Sequence, residues 1–235
     1  MDIVISIILY SFVSGITILI GATGAQVLRI KNIKIKEEIN HGTIAFGGGV
    51  LIAAVAFALI PRAIEKLSLL WLIIIFLAGT FSFFAIDKSI TSKGGSLAQV
   101  MAMLMDFIPE AIALGAAFAH DIHFGLLLAL FIGLQNLPEG FNSYGELLNR
   151  YSVKKSFLIL LPLSFLGVIA ALFGNYYLSD NPEIVAATML FAGGGIIYLM
   201  FQDIAPLSKM ENVRAPALGA SFGFLIGMVG EKLLL

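Results

Sequence analysis

Residues 106–115 read DFIPEAIALG and residues 135–144 read QNLPEGFNSY. Each places a proline beside a glutamate inside a long apolar stretch. Around them the chain is 235 residues long, 59% hydrophobic and 12% charged, with a mean hydropathy of +0.99. A soluble domain carries roughly 25% charged residues, so this composition specifies an integral membrane protein. A spanning helix needs roughly 20 mostly apolar residues. That rule predicts eight spans, near 3–28, 43–61, 68–86, 97–119, 123–147, 156–178, 185–205 and 216–234. The runs are continuous rather than alternating, which disfavours a closed β-barrel. The expected fold is an all-α polytopic membrane protein, with residues 1–235 forming one transmembrane domain.

Charge sets the expected orientation. The loops after spans one, three, five and seven hold Arg29, Lys31, Lys34, Lys36, Lys88, Lys93, Arg150, Lys154, Lys155, Lys209 and Arg214. The opposite side holds Arg62, Lys66 and Lys232. Cytoplasmic loops collect positive charge, so both termini are expected outside. The segment RIKNIKIK (29–36) reads as an ordinary topogenic loop, with a lipid-headgroup site as the alternative. The N-terminus lacks a basic n-region and reads as the first span rather than a cleaved signal. With no cysteine there is neither disulfide nor thiolate metal site. A net charge of −1 and no basic arm leave no case for nucleic acid.

The chain echoes itself. Span two carries GGGVLIAAVAFALIP (47–61) and span seven carries GGGIIYLMFQDIAP (193–206). Spans four and five share x-P-E. Within each pair the helices run in opposite directions, which fits an inverted-repeat transporter with substrate near the midplane. The glycine triplets also serve close helix packing.

Acids inside a membrane are costly and usually functional. Span four holds Asp106 and Glu110, span five holds Gln135, Asn136 and Glu139, and span seven holds Asp203 near its cytoplasmic end. No lysine or arginine is predicted mid-span to balance them. Asp106 and Glu110 are spaced i, i+4, as are Gln135 and Glu139, so each set shares one helix face. Two such faces on neighbouring helices make an oxygen-rich cleft, and like charges this close need a cation or protons. Pro109 and Pro138 cannot donate to the carbonyls of Met105 and Leu134, which leaves further oxygens to be satisfied at membrane depth. A proline-kinked helix with a protonated packing glutamate explains one such motif; two in succession point to a divalent cation site.

These segments resemble the ZIP family of divalent metal transporters, in particular its GufA-like bacterial branch. QNLPEG is similar to that family's Q/H-N-x-P-E-G motif, and DFIPEA to a degraded H-N-x-P-E-G. The resemblance extends to FGGGVLIAAVAFALIPRAIE and LFAGGGIIYLMFQDIAP, and so over nearly the whole chain. It implies that Glu110 and Glu139 ligate the transported metal, that Asn136 and Gln135 flank them, and that Asp203 lies on the exit route. It also implies a homodimer in the cell membrane that moves metal inward by alternating access, one helix bundle sliding on another. Asp106 stands where most members have histidine, Phe107 replaces an asparagine, Ala111 replaces the motif glycine, and Ser164 stands where many carry a glutamate. The two-metal centre is then reduced to one site built from oxygen donors. Such donors suit harder divalent ions, whereas zinc sites usually include imidazole or thiolate. The expected substrate is a divalent metal, Mn²⁺ or Fe²⁺ before Zn²⁺, with no organic cofactor. An enzyme is not expected. A metal sensor or assembly protein that no longer transports is the alternative.

Five further features stand outside this pattern. His120, Asp121 and His123 read as a turn that caps span five, or else collect metal at the entrance. His41 reads as an interfacial cap, and Met101, Met103 and Met105 as lipid- and core-facing filler. Asp87 reads as a headgroup-level acid. Glu146 is either an exit-path acid or an interfacial charge.

Overall fold

The computed structural model describes residues 2–28, 33–93, 98–211 and 213–235. Arg29 and Lys31 of the basic segment lie outside the described residues, as does the side chain of Lys93. The described chain is helical, with eight helices long and apolar enough to cross a membrane. They are α1 (Ile3–Val27), α2 (Ile33–Ala54, continuing to Lys66), α3 (Leu69–Lys93), α4 (Ala98–Phe118), α5 (Ile122–Leu147), α6 (Val153–Tyr177), α7 (Pro182–Leu199, continuing to Ser208) and α8 (Ala215–Leu234).

Helix α3 runs to Lys93 rather than ending at 86; otherwise the predicted spans and these helices agree to within a few residues except at α2. That helix begins ten residues before the predicted start at 43 and ends after PRAIEK, which was expected as a loop. Hydropathy reports only the apolar part of a helix. The polar turns at Glu37–Asn40 and Arg62–Lys66 contain no residue that stops the helix. Pro61 is tolerated because the turn before it widens. Val55–Leu59 forms a π turn in which the Ile60 N–H reaches the Val55 carbonyl. In α7 the π turn Met200–Ile204, closed by the Ala205 N–H on the Met200 carbonyl, sits in the same place before Pro206. A ring that cannot bond to residue i−4 is accommodated by an i→i+5 bond. The sequence echo between spans two and seven is thus an echo in backbone geometry.

Helix packing repeats the echo. α1 packs on α5 as α6 packs on α4, α2 on α8 as α7 on α3, and α2 on α5 as α7 on α4. Exchanging α1–α3 with α6–α8, and α4 with α5, preserves this pattern, the expected inverted-repeat character. The densest contacts divide the helices into two bundles, α1/α4/α5/α6 and α2/α3/α7/α8.

The seams within and between the bundles differ in kind. Inside the first bundle, a β-carbon added to Gly115 would lie 1.7 Å from the Ala171 carbonyl oxygen, and one on Gly174 would lie 2.0 Å from that of Ile112. Gly21 and Gly140 meet the carbonyls of Leu137 and Ile18 at 2.0 and 2.1 Å in the same sense. Inside the second bundle, Gly49 faces the Ala220 carbonyl, Gly223 that of Phe46, and Gly79 that of Phe191, at 2.0–2.1 Å. These are backbone-on-backbone contacts that only glycine permits. Between the bundles, glycine meets side chains instead: Gly47 the ring of Pro138, Gly227 the ring of Phe131, Gly230 the side chain of Leu130. Each bundle is therefore locked internally by backbone contacts, whereas the two meet through side chains.

Candidate metal site

The x-P-E segments of α4 and α5 lie side by side in the first bundle. Asp106, Glu110, Gln135 and Asn136 are all at most 3% exposed. Gln135 donates its side-chain amide to Glu110 Oε2, joining the two helices. Asp106 Oδ1 accepts the Phe107 N–H at 2.8 Å. Asp106 and Glu110 lie one turn apart on α4, and Glu139 lies one turn beyond Gln135 on α5.

Four oxygens here lack a hydrogen-bond donor. Glu110 Oε1, Gln135 Oε1, Asn136 Oδ1 and Glu139 Oε2 are all buried, and no described group donates to them. A buried acceptor without a partner costs about 1–3 kcal/mol, and native structures rarely gather several. Four of them on two adjacent helices fit a cation better than they fit packing. The three carboxylates do not make a ready centre by themselves: among the described residues, no three histidine or acidic side chains are placed to hold a metal ion together. A shell here draws on the amide oxygens as well.

Asn136 has a second role that its sequence position did not announce. Its Nδ2 donates to the Ser14 carbonyl of α1 at 3.0 Å, which leaves only Oδ1 toward the site. Ser164 donates to the Gly15 carbonyl at 3.1 Å. Ser164 is thus engaged at the crossing of α1 and α6. The Phe107 ring is buried against Gly167, where a β-carbon would lie 2.5 Å from it. Phe107 and Ser164 therefore serve helix packing.

A cavity of about 390 Å³ opens between the bundles beside this cluster. Asp106 and Glu139 line it from the first bundle, and Asp203 from the π turn of α7 in the second. Asn142 and Glu146 continue the acidic and amide lining along α5, which resolves Glu146 as a cavity residue. Asp87, read as a headgroup-level acid, also faces the cavity, and its Oδ2 accepts the Tyr198 hydroxyl at 2.8 Å. No spacing pattern in the sequence connects Asp87 to α7; only the fold does.

The remaining candidates fall into structural roles. Asp121 caps α5, accepting the Phe124 N–H at 3.0 Å, and His120 bonds to the Ser179 carbonyl. His41 Nδ1 donates to the Leu207 carbonyl at 2.7 Å, tying α2 to α7. Met101 is exposed, Met103 is buried, and Met103 and Met105 form apolar cavity wall.

Comparison with known proteins adds one finding. The chain is 30% identical over 142 residues to the zinc transporter GufA of Myxococcus xanthus. The chain is related to the GufA-like ZIP proteins. The match covers 59% of this chain and 56% of GufA, so the two correspond over little more than half of GufA's length. No protein-family model matches the chain.

Proposed function

We propose that the chain is a non-enzymatic divalent metal transporter of the cell membrane, acting as one unit over residues 1–235, with the ion held between α4 and α5. The observation that carries this reading is the group of four buried, donorless oxygens on Glu110, Gln135, Asn136 and Glu139. Glu110 and Glu139 bridge the ion, and Asp106 with the amide oxygens of Gln135 and Asn136 completes the shell. Relationship to GufA, a zinc transporter, supports metal as the substrate. Both termini lie outside, so the acidic cavity faces the cytoplasm and Asp203 receives the ion on its way in.

Alternating access follows from the seams. Helices locked through glycine and backbone move together, while side-chain contacts between bundles permit one bundle to slide on the other. The α1/α4/α5/α6 bundle carries the ion past the α2/α3/α7/α8 bundle. A homodimer fits the apolar faces of α3 and α8, which keep little surface inside the fold, although lipid covers such faces equally well.

Oxygen donors without imidazole favour the harder divalent ions. In proteoliposomes, Mn²⁺ and Fe²⁺ are expected to enter faster than Zn²⁺ or Cd²⁺; a clear Zn²⁺ or Cd²⁺ preference contradicts the assignment of donors. Asp203→Asn is expected to slow flux several-fold while metal affinity, measured by calorimetry, stays unchanged. Loss of binding in that variant would place Asp203 in the primary shell instead. The second reading, a metal sensor, is distinguished by retained binding with no flux of any divalent ion.

A further inference from the structure

At the end of the molecule opposite the cavity mouth, the bundles are joined by charge. Arg62 follows Pro61 near the end of α2, in the second bundle. Its guanidinium donates to Asp121 Oδ2 of the first bundle at 3.0 Å and lies 4.2 Å from the centre of the Phe124 ring. Asp121 is held ready for it, because its other oxygen is fixed on the Phe124 N–H at 3.0 Å. Phe124 is 3% exposed, so the ring is a fixed platform, and a cation over an aromatic face is attracted by it. Arg62 and Asp121 are each 37% exposed. Half-exposed ion pairs are weak, as a contact broken in every cycle must be.

Arg62 also has a second acid on its own bundle. α2 and α8 run parallel, Gly223 packing on Phe46 and Gly227 on Ala53, so Glu231 near the end of α8 lies at the same end of the molecule as Arg62. Glu231 Oε2 is buried, and no described group donates to it. It is an acceptor on the arginine's own side of the sliding seam.

Resting on the two-bundle reading above, we propose that Arg62 is a latch: it closes the end opposite the cavity by holding Asp121 and Phe124, and transfers to Glu231 when the bundles slide and that end opens. Asp121 and Phe124 travel with the ion-carrying bundle, whereas Arg62 and Glu231 stay with the other. The exchange gives the arginine a carboxylate partner in both positions, so opening never leaves it unpaired.

The chain has no cysteine, so introduced thiols are the only ones. An Arg62→Cys/Asp121→Cys protein, oxidised to a disulfide and reconstituted in vesicles, should lose Mn²⁺ flux and regain it on reduction. Equal flux in both states would overturn the latch. A second measurement does not depend on transport: labelling by a maleimide of a single cysteine at Ala102, on the cavity wall. Arg62→Gln should slow labelling by about two- to fivefold, because the cavity-open state loses its tie. The exchanged pair Arg62→Asp/Asp121→Arg should restore it, and Glu231→Gln should raise it. Unchanged labelling in Arg62→Gln overturns the proposal, and unchanged labelling in Glu231→Gln removes the transfer step. If the reduced protein carries no ion at all, the transport reading fails, and labelling alone decides the latch.

Discussion

Glu110→Ala and Glu139→Ala should each reduce divalent metal flux to background while the protein still folds. Each substitution removes two oxygens from the centre of the donor cluster, including one that no described group bonds. The fold should survive because the first bundle is held elsewhere, by the glycine seams and by the bonds of Asn136 and Ser164 to α1. Thermal stability without metal should fall modestly in Glu110→Ala, which leaves the buried Gln135 amide without its acceptor, and stay level in Glu139→Ala. Stabilisation by added metal should disappear, since a ligand stabilises only the state that binds it. Normal flux in either variant would place the ion elsewhere. Loss of flux together with loss of the monodisperse, helical protein would assign the residue to folding.

The second large effect separates structure from transport. Gly115→Ala puts a β-carbon 1.7 Å from the Ala171 carbonyl oxygen, closer than any atoms pack. α4 and α6 must move apart along their whole seam, and overpacking of this kind costs about 3 kcal/mol. The expected result is a large drop in melting temperature in detergent, and loss of flux as a consequence. Gly47→Ala is the comparison. Its β-carbon would meet the Pro138 ring at 2.9 Å, at a seam between bundles that yields by small shifts. Its melting temperature should change little, while flux falls because the sliding surface is roughened. Equal destabilisation by the two substitutions would contradict the distinction between locked and sliding seams.

Much of this was legible in residue order. Continuous apolar runs located the eight spans, because a membrane helix must be apolar for its full crossing. QNLPEG and DFIPEA pointed to the candidate site, because acids and prolines seldom recur together at membrane depth. Three features were not legible. The start of α2 at Ile33 was missed, since hydropathy does not register a polar helical extension. The π turns were missed, since Pro61 and Pro206 announce a disturbed helix but not how the turn before them relaxes. Asp87 was missed, since its place on the cavity depends on α3 packing against α7 rather than on anything near it in sequence. The site residues themselves divide. Asp106, Glu139 and Asp203 meet on one cavity, whereas Glu110 and Gln135 bond to each other and Asn136 turns partly to α1.

The most direct test is a structure of the protein soaked with Mn²⁺ and measured at the metal's absorption edge. One anomalous peak is expected between α4 and α5, about 2.0–2.3 Å from carboxylate oxygens of both Glu110 and Glu139, the distances usual for such ligands. A peak confined to the cavity mouth at Asp87 and Asp203, with none between α4 and α5, would contradict it.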